Sequence, residues 1–270
     1  MDRLTVNLAR PFWGRYTISL MGGYMRKYAW LFLSIGLTFG LVGCGDSESS
    51  NGTGGTGGGS GGTGGSGGGT GMATVSGTVF SASLDDVSTP LQGATVMVVG
   101  GSSTTSGSDG SFSLQAPVGI GMFRTTAPNA WGELATGDVP AGGEDMAEAE
   151  VVPDTLVDVV AGELMRTIDD TKGMVIVEFD AEVAVGGETA DLGSSYGFAF
   201  VFRANGDVEI GNQLEAGDDA QVLFANVDTT SDVMPSATGA GGGSCSLAFP
   251  STAFPSEEKV FTIVDVAPCP

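Results

Sequence analysis

The sequence predicts an all-β protein: two small antiparallel β-sandwich modules after a signal peptide and a Gly-rich disordered linker. Three observations predict it. Val, Thr, Phe and Ala dominate the body of the chain, and these suit strands better than helices. Several runs alternate apolar and polar residues with a period of two. Glycine, alone or in Asp-Gly and Asn-Gly pairs, punctuates those runs where turns belong.

Residues 1–43 read as a signal peptide. Met25-Arg26-Lys27 is a short positive segment, and "YAWLFLSIGLTFG" at 28–40 is an apolar run too short for an ordinary spanning helix. Residues 1–24 fit a leader poorly, with Pro11 and scattered arginines. Met25 is therefore read as the true start, a long positive segment being the alternative. Leu41-Val42-Gly43-Cys44 then resembles the lipobox of bacterial lipoproteins. The resemblance implies cleavage before Cys44 and acylation of Cys44, so the partner at that end is a membrane, held through several acyl chains. Gly45, not aspartate, follows the cysteine, which in enteric-type lipoproteins implies the outer membrane.

Residues 44–71 form a tether. From residue 51 to 71 the chain is almost only Gly, Ser and Thr, with no apolar surface to offset the entropy of ordering. Its ~20 residues reach roughly 25 Å on average and about 70 Å at full stretch. Within the run, 64–68 matches G-x-S-x-G and 57–62 matches G-x-G-x-x-G. Neither follows a strand or opens a helix, as those motifs require, so both are chance matches.

Residues 72–170 form the first module. "TVSGTVFSA" alternates, with Val75, Gly77 and Val79 on one face. "LQGATVMVVG" is a second strand, and Asp109-Gly110 signals a hairpin into a strand over 111–115. Residues 122–126 and the acidic run 145–152 are further strands. "APNAWGELATG" is expected as a loop holding Trp131. Gly77-Thr78-Val79, Pro90 to Val96, 105–112 and Pro117-Val118-Gly119 together resemble a carboxypeptidase regulatory-like domain, a transthyretin-like β-sandwich, over 73–152. The resemblance implies about seven strands, no catalytic residues, and a role as spacer, binding module or accessory.

Residues 171–270 form the second module. "KGMVIVEFDAEVAV" sets Val175, Val177, Phe179, Ala181, Val183 and Val185 against Ile176, Glu178, Asp180 and Glu182, the pattern of a half-buried antiparallel strand. "YGFAFVFRANGDVEI" is a hairpin with its turn at Asn205-Gly206. "AQVLFANV" and "KVFTIVDV" are strands. Leu223 to Val227, Cys245 and "VFTIVDVAPC" resemble the C-terminal half of lipoproteins with a regulatory-like first module. Residues 228–243 lack the Pro-Gly that the resemblance requires.

Of three cysteines, Cys44 takes lipid. Cys245 and Cys269 remain as an even pair in an oxidising compartment and are expected to form a disulfide, two free thiols being the alternative. Of 32 acids only Asp2 precedes Cys44, and of ten bases five do, so the chain from Cys44 onward carries about −26. Such a body repels nucleic acid, which is excluded as a partner.

Histidine is absent. Ser-His-Asp and Cys-His nucleophiles and most catalytic zinc sites are thereby excluded. Carboxylate-only and Ser-Lys chemistry survive that test. The acidic clusters Asp85-Asp86, Glu144-Asp145 with Glu148 and Glu150, Asp169-Asp170 and Asp218-Asp219 lack the spacing of a calcium loop and read as solvated surface. Lys172 and Lys259 are expected on the surface, and most acids are expected to point outward. Trp131 is the possible ligand platform, the alternative being a core edge. No catalytic residue, metal or cofactor is expected. The expectation is a non-catalytic lipoprotein that binds an unknown envelope protein or glycan. An enzyme accessory or glycan-binding module is the alternative, and a hydrolase the third.

Overall fold

The computed structural model describes residues 71–83, 88–181, 184–249, 251 and 253–269. The signal peptide, Cys44, the glycine run and Asp85-Asp86 lie outside the described residues. In chain order the first strands are β1 (Met72–Ser81), β2 (Thr89–Pro90), β3 (Thr95–Val98), β4 (Ser103–Thr105), β5 (Ser111–Pro117), β6 (Gly119–Thr126), β7 (Ala130–Val139) and β8 (Glu144–Pro153). Helix α1 (Asp154–Glu163) follows. Then come β9 (Gly173–Glu178), β10 (Thr189–Asp191), β11 (Phe198–Phe202), β12 (Val208–Ile210), β13 (Gln221–Val227), β14 (Ser236–Thr238), β15 (Ser244–Cys245) and β16 (Val260–Asp265). The chain is all-β, as its alternation predicts, with that one helix among the described residues.

The first half is a sandwich. In one layer β1 pairs antiparallel with β5 and β2 on one side and parallel with β8 on the other. The facing layer runs β4-β3-β6-β7, all antiparallel. Val75, Val79, Phe112, Leu114 and Ala149 from the first layer meet Val96, Val98, Phe123 and Val139 from the second. This is what period-two alternation produces when one face of each sheet is apolar. The β1–β8 ladder shifts register between Ser76 and Gly77. A Cβ on Gly77 would lie 1.8 Å from the Ala147 carbonyl oxygen, so only glycine permits that approach.

Two expectations in this half need correction. Asp109-Gly110 does make a tight turn, with Gly110 at φ +76. It closes no hairpin, because β4 pairs with β3 while β5 pairs with β1, so the turn carries the chain from one layer to the other. The stretch 127–137 is no loop: most of it is β7, buried on both faces. Such a strand shows no alternation. Gly132 marks close packing, since a Cβ there would lie 2.4 Å from the Thr125 carbonyl oxygen.

The second half does not start a separate sheet. The layer that ends in β7 continues β7-β16-β9-β13-β11-β12. β16 is parallel to both of its neighbours, β7 and β9, so the sheet is mixed where antiparallel pairing was expected. One face, with Met174, Ile176, Phe200, Leu223 and Phe261, is covered by Leu156, Val157 and Val160 of α1. The other, with Val175, Val177, Val222, Phe224 and Val264, lies under the small sheet β10-β14-β15 and its loops. β9 is therefore buried on both faces and ends at Glu178, short of the expected Val185, which is exposed. The Asn205-Gly206 hairpin forms where predicted and joins β11 to β12, with Phe202 opposite Val208.

The expected disulfide joins Cys245 on β15 to Cys269, 24 residues on. It ties the small sheet to the segment after β16.

Gly77→Ala should lower stability by about 3 kcal/mol, the upper end of overpacking effects, because the clash is with backbone and has no side chain to yield. Denaturant unfolding measures it. Cys245→Ser should remove about 3 kcal/mol through the reopened loop. Mass spectrometry should then find a free thiol at Cys269, and hydrogen exchange should quicken first in β14 and β15.

Candidate functional site

Trp131 sits at the start of β7 and is 2% exposed. Its ring packs against Phe261 of β16, with centroids 5.5 Å apart, in the core under α1. That burial removes it as a stacking platform. The apolar residues that β7 and β16 place on one face close over the ring, so Trp131 is a core residue of the junction between the two halves. None of the exposed large apolar side chains among the described residues is aromatic.

The unexpected chemistry lies beside it. Two residues further along β7, Glu133 is 4% exposed, and its Oε2 accepts the backbone N–H of Glu150 at 2.7 Å. Glu150 on β8 is 5% exposed. Its Oε1 accepts the Ser88 hydroxyl at 2.8 Å, while its Oε2 is buried without a hydrogen bond. On the neighbouring strands Asp265 of β16 and Glu178 of β9 are register partners. Both are half-buried, and Glu178 Oε2 is buried without a hydrogen bond. Four carboxyl groups from four strands thus collect where the halves meet.

Their protonation follows from that placement. Burial pushes Glu133 up to about 8; the Glu150 N–H opposes this, and the charges of Glu150 and Asp265 add to it. Burial pushes Glu178 to about 8, with repulsion from Asp265 and Glu133 adding and the Gln221 side chain opposing. Glu150 rises to about 7 by burial, held back by Ser88, and Asp265 to about 6 by burial alone. No cation contributes to any of the four.

The surface acids behave as expected of solvated groups. Asp169 is lowered by the hydrogen bonds it accepts from the Thr171 hydroxyl and N–H. Lys172 pairs with Asp228 at 3.6 Å and Lys259 with Asp154 at 2.7 Å, both partly exposed. Among the described residues no group of three or more His, Cys, Asp or Glu side chains is placed to hold a metal ion. The two best-formed cavities offer about 10 Å³ each, room for one water at most. One lies under α1 and is lined only by apolar side chains. The other lies between the sandwich layers, beside Glu133 and Thr125.

The expectation that most acids point outward therefore misses these four, and it also misses Glu188, 3% exposed, and Asp218, whose side chain is buried against Arg203 rather than solvated. Signals were present. Glu133 stands in "AWGELATG" and Asp265 in "VFTIVDV", each a lone acid within an apolar or small-residue run.

No protein family matches the chain, and no curated protein does. Among solved structures the TIE protein of Bacillus anthracis is similar, with a TM-score of 0.24 and 11% identity over 72% of this chain and 34% of that one. The chain spans about a third of the length of that protein, and a likeness this weak carries no argument about function.

Trp131→Ala should cost about 3–5 kcal/mol, the range for deleting a buried aromatic. A surface platform would lose far less on the same denaturant curve.

Proposed function

We propose that this chain is a non-catalytic lipoprotein of the outer membrane that displays a folded β body on a flexible tether, for adhesion or envelope structure. The observation that carries the proposal is the order of parts. The lipobox-like 41–44 precedes the glycine run, and β1 begins at Met72, one residue after that run ends. Anchor, slack and folded cargo follow one another without a gap. The first half is proposed to be a carboxypeptidase regulatory-like domain. Supporting this are its two-layer packing, the register shift in the β1–β8 ladder that Gly77 permits and the strand that follows Pro90-Leu91-Gln92-Gly93.

Three features favour a protein or structural partner over a glycan or a hydrolytic substrate. Trp131 is inside, the exposed apolar side chains are aliphatic or methionine, and of the raised carboxyls Glu133 and Glu150 are buried, Glu133 beside a water-sized cavity. A general acid must reach the atom it protonates.

Cys44→Ser tests the anchor. The variant should move from the membrane fraction to the soluble fraction, and metabolic fatty-acid labelling should vanish with it. Labelling that persists in the variant refutes the lipoprotein reading. Cross-linking in the native envelope then separates an envelope-protein partner from a glycan.

A further inference from the structure

We propose that Glu133, Glu150, Glu178 and Asp265 form a protonation-dependent cluster on the strands that flank the join between the two halves, which stabilises the fold at mildly acidic pH and weakens it progressively toward alkaline pH. The inference is independent of how the chain is anchored.

The geometry carries it. Glu133 bridges the two layers of the first half, from β7 to the backbone of β8, through its 2.7 Å bond to the Glu150 N–H. Asp265 and Glu178 lie side by side across the β16–β9 pair, and β16 is the strand that joins the halves. Glu133 feels both Glu150 and Asp265, so the two pairs act on each other. Facing the four from the elements packed against them are Glu148 on β8, Ser88, Thr125 on β6 and Gln221 on β13. None of these is a cation. Arg124 precedes Thr125 on β6 and so points to the opposite face of the sheet, where it pairs with Glu257 at 2.7 Å.

With no counter-charge at hand, two buried and two half-buried carboxylates cannot coexist cheaply in low dielectric. Kept protonated, each can donate a hydrogen bond, and the orphaned Oε2 atoms of Glu150 and Glu178 carry no charge that needs solvation. The sign follows from linkage. A carboxyl raised in the folded state holds its proton more tightly there than in the unfolded chain. Its contribution is full below the ordinary value of 4.5 and is lost as pH rises through the folded value, about 8 for Glu133 and Glu178. The window of loss therefore spans mildly acidic to mildly alkaline pH.

The test uses the full chain. Thermal unfolding of the wild type should fall by about 5 °C or more between pH 5 and pH 9. Glu133→Gln with Glu178→Gln, which mimics the protonated forms, should remove at least half of that fall. Glu163→Gln with Glu258→Gln takes the same charge from exposed sites and should leave the fall unchanged. A wild type with no fall overturns the proposal, and so does a buried-site variant that keeps the full fall. Equal relief from the exposed pair also overturns it, because general repulsion would then be the cause. Difference infrared spectroscopy of the wild type stands independently of how the variants fold. A protonated-carboxyl band present at pH 6 and gone by pH 9 is expected, and its absence at pH 6 overturns the proposal.

Discussion

The placement of β16 is the constraint on which the rest depends. Phe261 is the register partner of Glu133 on one side and of Met174 on the other. The last strand in the chain is thus the seam between the sandwich of the first half and the sheet of the second. It is buried on both faces, with Phe261 and Ile263 under α1 and Val264 beneath the small sheet. Thr262, also buried, satisfies its hydroxyl by donating to the Pro255 carbonyl at 2.8 Å. A seam built from a strand so distant in sequence from β7 is a non-local contact, formed only after a long loop has closed.

That seam explains where the few cations go. Five follow Cys44, and four of them hold connections in place. Arg124 meets Glu257 in the segment before β16, Lys259 holds Asp154 at the start of α1, and Lys172 reaches Asp228. Those pairs are partly exposed, and each contributes at most about 1 kcal/mol. Arg203 differs: it meets Asp218 at 2.6 Å, and the Asp218 side chain is 3% exposed and also accepts the N–H groups of Ala204 and Glu215. With its cations committed to loops, the chain leaves the carboxyls along the seam without counter-charge.

Asn226 shows how a single residue sets one of those connections. It has φ +57, in a bulge of β13 between Phe224 and Val227. Its side chain accepts the Asp169 N–H at 2.7 Å and donates to the Thr167 carbonyl at 2.9 Å. The turn between α1 and β9 is thereby fastened to the sheet, which fixes the height at which the helix covers Met174 and Phe200. Asparagine tolerates that backbone region better than most residues and offers both a donor and an acceptor there.

The all-β class, the β1 and β11–β12 strands, the Asn205-Gly206 turn and the Cys245–Cys269 pair were legible in the sequence. Each rests on a local signal: a period of two, a turn dipeptide, or an even count of cysteines. Helix α1 was not, because Pro153 at its start provides no side-chain cap and its valines, Val157, Val159 and Val160, favour a strand. Nor were the burial of Trp131, the full burial of β7 and β9, the crossing of layers at Asp109-Gly110 or the inward turn of four acids. Pattern within a strand tells which residues share a face, but not whether the second face is covered or which strand lies alongside. Only the tertiary pairing of β16 with β7 and β9 decided that, by covering both faces of the sheet and enclosing the carboxyl groups those strands carry.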